Sequence, residues 1–320
     1  MDPASEASQC PAHTGSATIL EGGEFFSKVA TAQALRDAFR DRDRLFPYDK
    51  WEAELPVLAE QYRESWPCPH VFLKDFLDRE VGLDMAAQFP QAGSHAWTRY
   101  QHANENKLGM AKRELFPPAI RAATEELNSP DFVAWISALT GIPGLIPDPM
   151  LEGGGLHQSG PGGYLNVHTD FSMHHFHAKW RRRVNLILYL NPEWREEWGG
   201  ALELWEQKMT RCAAKYPPLL NHALIFTTDQ RSLHGFPDPL TCPEGQSRKS
   251  LALYYYTVEE NHKASGHSTD YFARPQDGWR KSAVIWLDKK AVDLYSRAKA
   301  RFGFSDAFAS RVLGFLSRKK

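Results

Sequence analysis

Hydrophobic positions change texture twice along the chain. From about Glu24 to Ser65 they recur at helical spacing. Phe25, Val29, Ala32, Leu35 and Phe39 form one stripe, and Trp51, Leu55, Leu58 and Tyr62 a second. This predicts a helical layer packed on something larger, after a loose leader over residues 1–22 rich in Ser, Ala and Gly. Pro67 and Pro69 then break the chain. Val71-Phe-Leu-Lys-Asp-Phe-Leu reads as a short apolar strand running into a helix from Asp78 to Phe89. Residues 115–141 predict a helical pair, with Pro117-Pro118 at one start and Ser129-Pro130 as cap and break.

Between Leu151 and Val258 the period shortens. Tyr164–Asp170, Val184–Leu190, Ala201–Glu206, Ala223–Thr227 and Ser250–Val258 are the predicted strands, separated by Gly, Pro and Asn clusters. Many short strands with such turns argue a sandwich or barrel. Val184–Leu190 is apolar at nearly every position, so both of its faces should be covered. Residues 259–320 return to helical character, with Ala291, Leu294, Tyr295 and Ala298 on one stripe. The expected class is α+β. A leader and helical extension span 1–65, a β body spans 66–258, and a second helical extension spans 259–320.

Charge narrows the function classes. The 38 Lys+Arg against 39 Asp+Glu give a net charge of −1, which excludes a nucleic-acid binder held by a basic footprint and gives no drive toward an acidic membrane surface. Cys10, Cys68, Cys212 and Cys242 are scattered without a Cys-x-x-Cys, so they read as reduced thiols. The polar N-terminus lacks the pattern of a secretory signal, and no run of 18 apolar residues occurs. These features lead to the expectation of a soluble, cytoplasmic protein.

The sharpest chemical feature is Leu165-Asn-Val-His-Thr-Asp-Phe. His168 and Asp170 are spaced i, i+2, so on a strand they leave the same face. An imidazole and a carboxylate so placed are two-thirds of a facial triad, which a distant histidine completes. His234 follows the apolar strand Ala223–Thr227. Arg248-x-Ser250 again places two side chains on one face, and a guanidinium with a hydroxyl suits a carboxylate. Trp198-Gly-Gly-Ala-Leu-Glu-Leu lets a strand begin after a tight turn. Singly these pieces are weak, but their ordered set is specific.

That set resembles the Fe(II)/2-oxoglutarate-dependent dioxygenases, and most of all their prolyl 4-hydroxylase-like branch. Pro69-His-Val-Phe-Leu-Lys-Asp-Phe-Leu is similar to the phrase that often opens the branch's catalytic domain, and Val184–Asn191, ending in Tyr-Leu-Asn, is similar to one of its strands. The resemblance covers roughly residues 69–258. It implies a double-stranded β-helix, a jelly-roll or cupin-like core, wrapped here by the N- and C-terminal helices, with the catalytic domain over 66–258. It implies Fe(II) on His168, Asp170 and His234. It also implies 2-oxoglutarate with its distal carboxylate on Arg248, Ser250 and Tyr189, and ascorbate as the reductant in assays. With Arg248 inward, Ala252, Tyr254 and Tyr256 should face inward, and Lys249, Leu251 and Leu253 outward. Many members carry a tyrosine about ten residues before the first histidine; this chain has Gln158 there, whose amide is the expected substitute. Members that halogenate replace the carboxylate, so Asp170 implies hydroxylation. The implied partners are O2 and a small-molecule or peptidyl substrate of amino-acid type, with no nucleic acid and no membrane. The alternatives are a non-catalytic ligand-binding module on an inactivated barrel and a metal-dependent hydrolase using the same ligands.

Other features have plainer readings. His174, His175 and His177 read as a substrate-facing or solvated loop, and Arg181-Arg182-Arg183 as a solvated turn before the strand at Val184. His157 lines the mouth or is structural. The glycine stretches at Gly153 and Gly160 lack the Lys-Ser/Thr of a phosphate loop. Glu203 and Glu206 have no feature supporting a glycosidase pair.

Overall fold

The second helical stripe folds as predicted. In this computed structural model, which describes residues 44–94, 96–259, 268–288 and 290, helix α1 spans Tyr48–Glu64 and buries Trp51, Leu58 and Tyr62. The chain divides into two units, Met1–Arg44 and Leu45–Lys320; the elements below belong to the second. The stripes at Phe25–Phe39 and Ala291–Ala298 lie outside the described residues. Strand β1 (His70–Leu73) leads into α2 (Arg79–Ala87). The helical pair becomes α3 (Pro118–Leu127) and α4 (Pro130–Thr140). Ser129 Oγ caps α4 by accepting from Phe132 N at 3.2 Å, and Gly141 ends it in the left-handed region at φ 69°.

The β body is a double-stranded β-helix. Its strands are β2 (Thr98–His102), β3 (Glu105–Met110), β4 (Ile146–Pro147), β5 (Gly155–Ser159), β6 (Tyr164–Thr169) and β7 (Trp180–Tyr189). They continue with β8 (Leu202–Trp205), β9 (Cys212–Tyr216), β10 (Ala223–Thr227), β11 (Leu233–Phe236), β12 (Arg248–Val258) and β13 (Asp270–Tyr271). One antiparallel sheet runs β1-β10-β7-β12-β5, the other β6-β11-β8-β9. β3 joins them, pairing with β5 through Leu108–Met110 and with β6 through Glu105 and Asn106.

Two layers of packing fix this frame. Leu186, Leu188, Leu251, Leu253 and Tyr255 point out of the barrel into the main core, against Trp51, Leu58, Ile120, Phe132 and Trp135 of the helices. The positions expected to face outward on β12 therefore include helix-covered core, and the apolar run of β7 has both faces covered, as predicted. Ala252, Tyr254 and Tyr256 form a separate inward cluster. Phe226, Phe236, Leu202 and Leu224 fill the barrel beside Tyr189.

The structure corrects the reading of Arg181–Arg183. β7 begins at Trp180, four residues before the predicted strand, and Arg182 is among the largest fully buried side chains. The histidine loop is also not simply solvated. His174 is buried between Asp148 and Glu152, its nitrogens 3.4 and 3.1 Å from their carboxylates. Cys68, Cys212 and Cys242 are free thiols. Among the described residues no helix is long and apolar enough to cross a membrane.

Candidate active site

Register brings the three ligand residues together. On β6 and β11, His168 and His234 are directly opposed, and their ring centroids lie 4.4 Å apart. Asp170 follows β6 immediately. Its Oδ1 is 3.5 Å from His168 Nε2 and its Oδ2 3.5 Å from His234 Nε2. One donor atom from each residue lies within 4.8 Å of the others.

The surrounding groups prepare these donors. His168 Nδ1 lies 2.9 Å from Asn166 O and His234 Nδ1 2.8 Å from Ser232 O, so each ring donates its Nδ1 proton to a carbonyl and turns a bare Nε2 inward. Burial, with the neighbouring His168, lowers His234 to about 4 and keeps it neutral. Burial works against the charge on Asp170. The Arg182 guanidinium overcomes that, holding the carboxylate well below its usual range. Arg182 Nη2 is 3.2 Å from Asp170 Oδ2, and Arg182 Nε donates to Asn185 Oδ1 at 2.8 Å. Asn185 Nδ2 donates in turn to Asp170 Oδ2 at 2.7 Å. The guanidinium lies 3.3 Å from the Tyr254 ring centre and 4.7 Å from that of Phe171. Two imidazoles presenting Nε2 and one ionised carboxylate on a single face fit Fe(II) in a facial triad.

Arg248 and Ser250 line the same cavity of about 390 Å³ as His168, Asp170 and His234. Arg248 is buried, and its Nε donates to Gly200 O at 2.7 Å. Gly200 sits at φ 76°, and a Cβ there would meet Leu240 at 2.7 Å and Arg248 Cδ at 3.1 Å, so the Gly-Gly turn is required. Arg248 Nη2 and Tyr189 Oη are both buried without a hydrogen-bond partner. Burial pushes the Tyr189 phenol up, so it remains a neutral donor. Unsatisfied buried donors cost ~1–3 kcal/mol each, and a carboxylate placed between them removes that cost. The chain therefore fits 2-oxoglutarate at this end. Ser250 pairs with Tyr189 on one side and His157 on the other, and the inward set of Arg248, Ser250, Ala252 and Tyr254 lines the cavity.

Gln158 is not part of this wall. It pairs with Lys249, and its Nε2 donates to Ser247 Oγ at 2.7 Å. Alternation along β5 turns His157 and Ser159 inward instead, opposite Ser250 and Arg248. Burial, with Lys107 nearby, lowers His157 to about 3. His157 takes the first of its two expected places, in the cavity wall, and Arg182, Asn185, Lys107 and Tyr271 line the cavity without a site role expected from sequence. Only Asn185, polar within an apolar run, carried a local signal. Glu203 serves structure, accepting from Trp205 Nε1 at 2.8 Å and pairing with Lys215.

Residues 154–256 match the family model described as the 2OG-Fe(II) oxygenase superfamily. No protein of curated function matches the chain in sequence. Among solved structures, a prolyl hydroxylase of Trichoplax adhaerens, in complex with a hypoxia inducible factor peptide fragment, is similar at 18% identity and TM-score 0.49, over 70% of this chain and 97% of that one. A Pseudomonas putida prolyl-4-hydroxylase aligns at 17% identity and TM-score 0.45, over 63% of this chain and 100% of that one. SnoK, a carbocyclase from nogalamycin biosynthesis, aligns at 11% identity and TM-score 0.45, over 69% of this chain and 88% of that one. His168, Asp170, His234 and Arg248 all lie inside the matched segment, which is thus similar to the 2OG-Fe(II) oxygenase superfamily, and the cofactors that family implies are Fe(II) and 2-oxoglutarate.

Proposed function

We propose that this protein hydroxylates an unactivated C–H of an amino-acid-type substrate: a prolyl residue, a free amino acid or a natural-product intermediate. Succinate and CO2 are the co-products. His168, Asp170 and His234 hold the iron, which with 2-oxoglutarate and O2 supplies the oxidising power for C–H hydroxylation. The chain's own residues bind, orient and keep the site dry. Arg248 and Tyr189 take the distal carboxylate of 2-oxoglutarate, with Ser250 beside them. Arg182 and Asn185 fix the Asp170 carboxylate so that its orientation survives ligand exchange. His157, neutral and inward, is placed to hydrogen-bond the bound molecules. Tyr254 and Phe171 seal the guanidinium from water.

The observation that carries this reading is Arg248 Nη2, buried without a hydrogen-bond partner in the wall of the cavity that holds the His-Asp-His cluster, with the equally unpartnered Tyr189 Oη on the neighbouring ring. A metal hydrolase gives that pair no task, and the intact His-Asp-His cluster beside Arg248 argues against a non-catalytic binding module. The test is succinate release with Fe(II), ascorbate and 2-oxoglutarate, coupled to an unbiased mass search for products heavier by one oxygen. Absence of 2-oxoglutarate consumption by the iron-loaded protein would overturn the reading.

A further inference from the structure

The segment after the barrel lies against the iron side of the cavity. In β13, Tyr271 opposes His168 and Asp270 opposes Thr169 on β6. Phe272 N extends the contact by donating to Val167 O at 2.8 Å. The Tyr271 ring centre is 5.6 Å from that of His168, and Thr269 and Tyr271 line the cavity. Two anchors hold the segment in place. Buried Arg274 donates to both oxygens of Asp238, beyond β11, at 2.7 and 3.0 Å, and to Asp277. Further along, Asp288 accepts from Asn104 Nδ2 and lies 3.1 Å from His102 Nδ1, on the β2–β3 hairpin.

These contacts fill the edges of the strand that carries His168. β11 occupies one edge of β6. β3 occupies the other at Tyr164 and Leu165, and β13 at His168 and Thr169. An extended peptide docks most readily by adding a strand to a free sheet edge. β6 offers none beside the ligands. What remains is a cavity of about 390 Å³, which must hold 2-oxoglutarate as well as the substrate. Small-molecule sites run ~300–1,000 Å³, so this one is at the low end. Its lining includes Tyr100, Lys107, Gly154, Phe171, Thr269 and Tyr271, contributed by separate segments. His168 and His234 are only 5% and 4% exposed, and Tyr271 stands against His168 with ring centres 5.6 Å apart.

We propose that segment 268–288 commits this enzyme to a free small molecule rather than a residue within a protein chain, with Tyr271 as the specificity-determining residue of the iron-side wall. This rests on the hydroxylase reading above. The ligand class is a compact molecule with an apolar body, gripped between the aromatic faces of Tyr100, Phe171 and Tyr271, with the Lys107–Glu105 ion pair, closed at 2.9 Å, for a polar end. Segment 268–288 acts as a fixed wall, latched to the hairpin through Asp288.

The test gives the iron-loaded enzyme labelled O2 and 2-oxoglutarate with either the ultrafiltrate or the retained protein fraction of one cell lysate. Label is expected in filtrate molecules and not in proteins, with succinate release stimulated by the filtrate alone. Tyr271→Ala should shift the ratios among labelled products by on the order of tenfold or more, the scale set by pocket shape. Asp288→Ala should lower filtrate labelling while 2-oxoglutarate is still consumed without added substrate. Label in the protein fraction, or an unchanged product ratio in Tyr271→Ala, would overturn the inference and leave the hydroxylase intact. Absence of 2-oxoglutarate consumption in every sample would sink both.

Discussion

Replacing Arg248 with Ala tests the cosubstrate clamp most directly. Arg248 is 5% exposed, with Nε spent on Gly200 O and Nη2 without a hydrogen-bond partner. Hydrogen bonds to a charged group contribute ~1.5–3 kcal/mol, and removing one partner of a buried ion pair costs ~3–5 kcal/mol. At ~1.4 kcal/mol per decade, Arg248→Ala should weaken 2-oxoglutarate by roughly two to three and a half decades. Tyr189→Phe removes one neutral donor to the same carboxylate and should cost about one to two decades. Arg248→Lys keeps the charge but loses the planar fork, so its recovery should be partial. The assay is calorimetric titration of 2-oxoglutarate into Mn(II)-loaded protein without O2. A thermal melt of each variant is the control, because Arg248→Ala also strips Gly200 O of its donor. Wild-type affinity in a folded Arg248→Ala protein would refute the reasoning.

Four further outcomes follow from the geometry. Arg182→Ala strands the buried Asp170 carboxylate, so it should lower the melting temperature and weaken metal binding by about two decades or more, with Lys a partial rescue; unchanged metal affinity by equilibrium dialysis would count against it. His234→Ala should abolish 2-oxoglutarate turnover with the fold retained by circular dichroism, and undiminished succinate release would refute the ligand assignment. Because Asp170 fills the position a halide needs, products made in excess chloride should carry oxygen only, and a chlorine isotope pattern would refute that. Burial opposes charge on His102, but Asp288 and Glu105 outweigh it and raise the ring to about 9. The stability this contributes is therefore complete below about 6.5, the unfolded value, and lost as pH rises through about 9. His102→Gln should flatten the melting curve against pH in that window, and an unchanged slope would rule the latch out as its cause.

The parts of this protein legible in the sequence depend on short-range spacing. Ser129 before Pro130 is a cap wherever it folds, and the apolar runs of β7, β10 and β12 are strands with either neighbour. Arg248 and Ser250 share a face because β12 runs unbroken through them, in register with β5 from Arg248 to Ala252 and with β7 from Ser250 to Tyr255. The β2–β3 hairpin gave no signal. Thr98–His102 is mostly exposed, and Glu105–Met110 carries polar residues because they line a cavity. β13 has two residues, too few for any period, and the Asp288–His102 contact spans 186 positions. Such pieces exist only once the barrel presents an edge to receive them.

The two errors of placement share a cause in strand parity. Counting ten residues back from His168 reaches Gln158, but the count passes through the turn at Gly160–Gly163 and through an irregularity where His234 pairs with His168 and Phe236 with Leu165. A shift of one residue exchanges the faces of a strand, so the inward position became His157. Arg182 shows the same physics from the other side. On β7, Val184 pairs with Tyr255, but Tyr256 pairs with Arg182, leaving Arg183 as an extra residue in a bulge. Strict alternation from inward-facing Asn185 would have turned Arg183 into the barrel and Arg182 out of it. The bulge reverses that parity: Arg183 is half-buried, 3.4 Å from Thr257 Oγ1, and Arg182 reaches Asp170. Three consecutive arginines can look alike in sequence and yet hold one buried charge among them, because a single extra residue selects which one the Asp170 carboxylate meets.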